Sequence, residues 1–198
     1  MRIEHCALRA SDFVRKLSDY ASAESLSIQS INLNAVIEQV EEAMRLLSAS
    51  QVELEYVLHP KLPDVRASQA GMQRALLLLA TGAVESMADI KSPKVTITTG
   101  VSNPLNDGLR AVIFDHDMPA TCAFAEVSDN GPAPSADLLD DPLKIFQRDK
   151  TNARVLGLPV SCEVARELGG LVKIGTGNGR GYTVRMYLPL SETSDSDE

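Results

Sequence analysis

The stretch Pro159-Val-Ser-Cys-Glu-Val-Ala-Arg-Glu-Leu-Gly-Gly-Leu-Val-Lys-Ile-Gly-Thr-Gly-Asn-Gly-Arg-Gly-Tyr-Thr-Val-Arg-Met-Tyr-Leu-Pro189 decides how the chain is read. Residues 159–168 read as a helix that stops at Gly169-Gly170, where a glycine supplies the left-handed turn that ends many helices. Leu171-Val-Lys-Ile174 and Tyr182 to Leu188 read as strands that close as a hairpin around Gly175 to Gly181. Strands joined so closely must run antiparallel. Upstream of them helices and strands alternate. The combination predicts a mixed sheet with helices on one face, an α/β two-layer sandwich.

Working outward, Ala123 to Val127 is a strand that ends at Ser128-Asp-Asn-Gly-Pro132, and a Pro- and Asp-rich loop follows. Lys94 to Thr99 and Leu109 to Phe114 are two further strands, with Asn106-Asp-Gly108 between them as a turn signal. Ala70 to Met87 reads as a helix. Its centre, Ala75-Leu-Leu-Leu-Leu-Ala80, is apolar all round, so it is expected to be buried on most sides. Pro60 and Pro63 break the chain before it, and Val52 to Val57 alternates as a strand does. Ala35 to Leu47 is a helix with Asn32 or Asn34 as cap and Val36, Val40, Ala43 and Leu47 along one face.

The ends differ from the middle. Ile3, Ala7, Ala10, Phe13, Val14, Leu17 and Ala21 recur at helical spacing opposite Arg9, Arg15, Lys16 and Asp19, which predicts an amphipathic helix over 2–24. Ala23 to Ser30 reads as a polar linker. Ser191 to Glu198 is polar and acidic, cannot bury apolar area, and reads as a disordered tail. The expected organisation is 1–29 helix and linker, 30–190 domain, and 191–198 tail.

The chain has 198 residues, of which 44% are hydrophobic and 23% charged, which fits one folded domain with an appendage. Twenty-seven acids against nineteen bases give a net charge of -8, which argues against a nucleic-acid face and a polybasic membrane anchor. Nucleotides stay open, because backbone amides at helix N-termini hold phosphates without a basic surface. Cys6, Cys122 and Cys162 are far apart and form no metal or disulfide pattern. No apolar run approaches a membrane helix and no signal segment opens the chain, so a cytoplasmic protein is expected.

The order of the pieces resembles the ATP-binding domain of sensor histidine kinases, in the superfamily shared with gyrase, heat-shock chaperones and mismatch-repair ATPases. The pieces are Met72 to Met87 for the asparagine-box helix, Asp129-Asn-Gly-Pro-Ala133, Ile145-Phe146 in the lid, Ala153-Arg-Val-Leu-Gly-Leu158, Gly169-Gly170, and Gly181 to Pro189. The resemblance covers about residues 30 to 190. It implies the Bergerat-type ATPase fold, with a mixed, mostly antiparallel sheet, helices on one face, and an N-terminal helix before it. Ala10 to Tyr20 looks like the end of the second helix of the family's dimerisation hairpin. The hairpin's first helix, bearer of the phospho-accepting histidine, has no counterpart in the sequence.

The resemblance assigns Asp129 as the acid that accepts a hydrogen bond from the adenine amino group, with Gly131 letting backbone approach the base. Alone, Asp129-Asn-Gly-Pro132 reads as a turn after a strand. Gly157, Leu158, Gly181 and Thr183 complete the nucleotide-binding expectation. Several positions depart from the family. Ala133, Ala153 and Val155 stand where glycines are usual, and Tyr182 stands where a small threonine is usual, with Thr183 one residue late. On the asparagine-box helix, Leu78 and Gly82 occupy the proton-handling and magnesium places. Neither offers the oxygen a hard cation requires or a group that handles a proton. Shifting by a residue or two gives Leu77, Leu79, Ala80 or Thr81, only one of which bears a hydroxyl, and Glu85 lies a turn further on. Arg148, Lys150 and Arg154 would meet phosphates electrostatically or form a solvated basic loop. His5 lacks the acidic neighbour of a phospho-accepting box. His59 and His116 read as exposed loop residues, and Cys122 and Cys162 as small buried apolar groups.

The functional expectation is therefore a two-component signalling protein with a degenerate ATP-binding domain. It would lack a metal and catalytic residues and would bind, at most, ATP or ADP weakly without magnesium. It would act through contacts: a homodimer formed through Ile3, Ala10, Phe13, Val14 and Leu17, and docking of a response-regulator receiver or a histidine kinase. Two alternatives stand beside it. One is an active histidine kinase fragment binding magnesium-ATP, and the other is a phosphotransferase-like relay docking receivers.

Overall fold

The computed structural model describes residues 27–48, 52–112, 118–136, 139, 153–177 and 180–191. The helix expected over 2–24, with Ile3, Ala10, Phe13, Val14 and Leu17, lies outside these residues. So do His5, His116, Ile145-Phe146, Arg148, Lys150 and most of the acidic tail.

In chain order the elements are β1 (Ile28–Ile31), α1 (Leu33–Leu47), β2 (Glu53–Val57), β3 (Val65–Ser68), α2 (Gln69–Glu85), β4 (Lys94–Ser102), β5 (Arg110–Ala111), β6 (Cys122–Asp129), α3 (Ala153–Glu167), β7 (Leu171–Gly177) and β8 (Arg180–Pro189). Six strands form one sheet in the order β2-β4-β6-β8-β7-β5, and β1 and β3 form a separate antiparallel pair. Only β2 and β4 run parallel; the other four pairings are antiparallel. The mixed, mostly antiparallel α/β sandwich expected from the sequence is the one observed.

Asn32 caps α1. Its side-chain oxygen accepts from the Asn34 amide at 3.1 Å, while its amide nitrogen donates to the Leu62 carbonyl at 2.9 Å and to Asp64 at 3.1 Å. One side chain thus starts the helix and ties it to the loop before β3. Ser68 caps α2 by accepting from the Gly71 amide at 3.2 Å. Met72, Ala75, Leu76, Leu79, Ala80 and Ala83 of α2 are all buried, as the apolar run predicted, because α2 meets the sheet below it and α1 and α3 beside it.

Two local expectations are corrected, and one turn is borne out with strand partners the sequence does not specify. Ile28 to Ser30, read as the end of a linker, pair with β3 together with Ile31, and so enter the folded domain. The turn at Asn106-Asp-Gly108 is real, with Gly108 at φ +72° and Asp107 accepting from the Leu109 amide at 3.0 Å. The strands flanking it do not pair with each other, however. The 94–102 strand lies between β2 and β6, and β5, the described part of the 109–114 strand, joins β7. Finally, α3 begins at Ala153, ahead of Pro159, which sits inside the helix.

Alternation along β8 divides the sheet. Val184, Met186 and Leu188 face the helices in the main core, whereas Tyr187 joins Cys122, Phe124 and Leu171 in a second cluster on the opposite face. A polar network sits on that outer face. Asp107 accepts from Lys173 Nζ at 2.7 Å and from the Tyr187 hydroxyl at 2.6 Å, and Lys173 also donates to the Pro104 carbonyl. Arg185 donates to Glu126 at 2.7 Å and to the Tyr187 oxygen at 3.1 Å, with its guanidinium 4.3 Å from the centre of the Phe124 ring. These bonds fasten the 103–109 loop onto the sheet.

Burial opposes ionisation of Asp107. The hydrogen bonds from Lys173, Tyr187 and the Leu109 amide together outweigh it and hold the carboxyl below its ordinary value. A carboxyl with a lowered folded-state pKa contributes stability above its unfolded value, near 4, and that contribution is lost as pH falls through the lowered folded value. Asp107→Ala leaves the Lys173 ammonium buried without its partner and should destabilise the chain by about 3–5 kcal/mol near neutral pH. In urea titrations from pH 6 downward, Asp107→Asn should lose less stability below pH ~4 than the wild type does. Parallel acid profiles would exclude this role for Asp107.

Candidate functional site

Asp129 is the last residue of β6 and is largely buried. Its Oδ1 accepts from the Gly131 amide at 2.8 Å, closing the turn on itself, and from the Tyr182 amide across on β8 at 3.4 Å. Gly181 makes this approach feasible. Its φ is +71°, and a Cβ there would lie 1.7 Å from the Asp129 carbonyl oxygen. Asp129, Gly131 and Gly181, three residues singled out in the sequence, are therefore brought together.

Thr183 does not join them. It pairs with Ser128 of β6, and strand alternation sends its side chain to the face away from the helices, where its buried hydroxyl has no hydrogen-bond partner. Tyr182 takes the inner position instead. With Leu79, Ala83, Val127, Asp129 and Val184 it lines a cavity of about 10 Å³. That is room for about one water, against the ~300–1,000 Å³ of typical ligand pockets. The alternation Tyr182, Val184, Met186 was the signal for this in the sequence.

The expected glycine-rich phosphate turn is corrected too. Gly157 and Leu158 lie inside α3, not in a loop. Leu158 is fully buried, and the Gly157 carbonyl accepts from the Ser161 hydroxyl at 2.8 Å. A Cβ at position 157 would come within 3.0 Å of the Leu78 and Leu79 backbone, so the two helices are in direct contact there.

Leu78 is half-buried and Gly82 is buried. The Thr81 hydroxyl, the one oxygen among the neighbouring alternatives, donates to the Leu77 carbonyl at 2.7 Å. Glu85 ends α2 and is exposed. Among the described residues no three His, Cys, Asp or Glu side chains gather where a metal could be held. Cys122 and Cys162 are buried, as expected, and burial pushes the Cys162 thiol up to about 12, so it is no nucleophile at neutral pH. His59 is exposed, and its carbonyl accepts from Asn34 at 2.9 Å.

The contact of Gly181 with Asp129 can be measured against a glycine that touches nothing. Gly108 also has positive φ, but a Cβ there meets no atom within 4 Å. Gly108→Ala should cost about 1–2 kcal/mol for its backbone conformation alone. Gly181→Ala adds overlap with a carbonyl and should cost clearly more in chemical denaturation. Equal losses would show that β8 moves freely away from Asp129.

No protein-family model matches the chain. It is 23% identical over 190 residues to the sensory histidine kinase/phosphatase NtrB of Rhizobium leguminosarum bv. phaseoli, which covers 96% of this chain and 49% of that protein. It is 26% identical over 188 residues to the sensor protein FixL of Bradyrhizobium diazoefficiens, covering 94% and 34%. The chain thus spans about half the length, or less, of these curated relatives. Among solved structures, the catalytic domain of histidine kinase ThkA superposes with a TM-score of 0.58 at 20% identity, covering 83% of this chain and 97% of that one. Full-length ShkA in complex with AMPPNP gives 0.61 at 21% identity, covering 97% and 39%. The sandwich is that of the histidine kinase catalytic domains.

Proposed function

With the histidine kinase catalytic fold as premise, we propose that this chain is a two-component signalling protein whose ATPase-type domain has given up magnesium-ATP chemistry and works through protein contacts. The observation that carries this reading is the cavity at Asp129. It holds about 10 Å³, so an adenine ring enters only if the lining gives way, and Tyr182 is the largest side chain in that lining. Moving a buried tyrosine out forfeits its apolar burial, on the order of 2 kcal/mol or more, before any contact with the base is made.

The chemistry of α2 supports the same reading. At the positions the family resemblance assigns to proton handling and magnesium, Leu78 offers only hydrocarbon and Gly82 has no side chain. Phosphoryl transfer depends on metal and cationic groups that neutralise charge developing on the phosphates. Without a metal ligand at these positions, weak binding of ATP or ADP is the most that Asp129 supports. The stripe Ile3, Ala10, Phe13, Val14 and Leu17 would form a homodimer, as apolar helix faces in bundles do. The domain would dock a response-regulator receiver or a histidine kinase. Among the described residues no helix is long and apolar enough to cross a membrane.

Calorimetric titration with ATP tests the proposal. The wild type should bind with a Kd above about 1 mM, a free energy weaker than about -4 kcal/mol, with or without magnesium. Tyr182→Thr should tighten nucleotide binding at least tenfold, and equally in the presence and absence of magnesium, because positions 78 and 82 are unchanged. Micromolar, magnesium-dependent binding by the wild type would overturn the reading and restore an active kinase domain.

A further inference from the structure

A groove of about 360 Å³ lies near the far end of α3, lined by Ile28, Ser68, Val164, Glu167 and Leu168, none of which borders the Asp129 cavity. Gly157 of α3 meets Leu78, whereas Val164 meets Gly71, so α3 runs antiparallel to α2 and the groove opens beside the start of α2. Ile28 is 45% exposed and stands among Ser27, Gln29 and Ser30, all exposed and polar. It is an apolar side chain left without cover where the chain enters the domain.

We propose that this groove is the seat for the end of the chain's own N-terminal segment, with Leu17 and Ala21 packed against Val164 and Leu168 beside Ile28. Three observations select this occupant. The first is reach. The amphipathic pattern runs to about residue 24, and the four residues from there to Ile28 span at most about 14 Å, so the end of the segment cannot leave the neighbourhood of the groove. The second is spacing. Leu17 and Ala21 are four apart, as are Val164 on the last turn of α3 and Leu168 in the turn just after it, so the two pairs match in length along the groove. The third is charge. Arg15 and Lys16 belong to the polar side of the segment's pattern, while Glu167 lines the groove and is exposed, with Arg166 beside it as the opposing base; Glu163 is already engaged by Arg74 at 3.6 Å.

The seat takes only the last two turns of the pattern. Ile3 to Val14 stay available to a second copy, so the inference adds to the proposed dimer contact without depending on it. It is also independent of nucleotide. Its consequence is mechanical: a segment held at Ile28, Val164 and Leu168 has a fixed direction relative to the domain, and a partner gripping the segment thereby grips the domain.

Hydrogen–deuterium exchange of the full chain, read by mass spectrometry, tests this. Peptides covering residues 14–24 should exchange at least tenfold more slowly in the wild type than in Ile28→Asp, while peptides from α2 and β8 stay unchanged. The protection should persist on tenfold dilution. Unprotected 14–24 peptides in the wild type would overturn the proposal. So would protection that ignores Ile28→Asp and fades on dilution, which would show that a second copy covers the segment. If Ile28→Asp loosens α2 and β8 as well, Glu167→Lys decides. It should speed exchange of 14–24 several-fold, and Lys16→Glu in the same chain should restore the protection; no effect from Glu167→Lys overturns the seat. None of these outcomes bears on the ATP titration, so the two readings fail separately.

Discussion

Everything in the domain leans on α2. The helix is covered by the sheet, by α1 and by α3, and the run Ala75 to Ala80 supplies apolar contact to all of them. A helix buried on so many sides has little room for polar side chains, because each would need a partner in the interior. Thr81 shows the constraint: its hydroxyl is satisfied only by turning back onto the Leu77 carbonyl of its own helix. Leu78, by contrast, is only half-buried and Gly82 has no side chain, so core packing does not by itself dictate what stands at these two positions.

The outer face of the sheet solves the opposite problem. Its residues would meet water, but the 103–109 loop lies over them. The loop is held by a carboxylate, an ammonium, a phenol and a guanidinium that satisfy one another. The network is strong only while it is complete. Lys173 and Asp107 are both nearly buried, so removing Asp107 strands the ammonium away from water, whereas removing Lys173 leaves Asp107 only Arg185, 3.8 Å away, as a charged partner. The loop is thus fixed in place by electrostatics on one side of the sheet, and the helices by apolar packing on the other.

Much of this was legible in the sequence. The hairpin of β7 and β8, the apolar helix and the Asp129 turn follow from periodicity and punctuation. What escaped had a physical reason in each case. The β1–β3 pair is four residues long on each side, too short for alternation to register, and its strands lie far apart in the chain, from Ile28 with Ser68 to Ile31 with Val65. The 106–108 turn was legible, but a turn signal says that the chain reverses, not which strands then pair. The start of α3 was hidden by Pro159 and Gly157, which discourage a helix locally while the packing of α3 on α2 favours one. At the candidate site, the residues were legible and the volume was not: the sequence places Tyr182 on β8, but only the closure of β8 on β6 shows how little space is left beside it.

That closure changes how the glycines should be read. In the sequence, Gly157 and Gly181 count toward a nucleotide-binding pattern because the family uses glycines there. In the structure each has a packing reason that needs no nucleotide. A side chain at 181 would collide with the Asp129 carbonyl, and one at 157 would press on the α2 backbone. Their presence therefore follows from the fold alone and carries no weight for ATP. Under the proposed reading, the residues that would carry such weight are those the fold does not require: an oxygen at 78 or 82, a small side chain at 182. At those three positions the chain has leucine, glycine and tyrosine. Where structure and ligand both demand a residue, its retention is uninformative, and only the positions free to vary report on function.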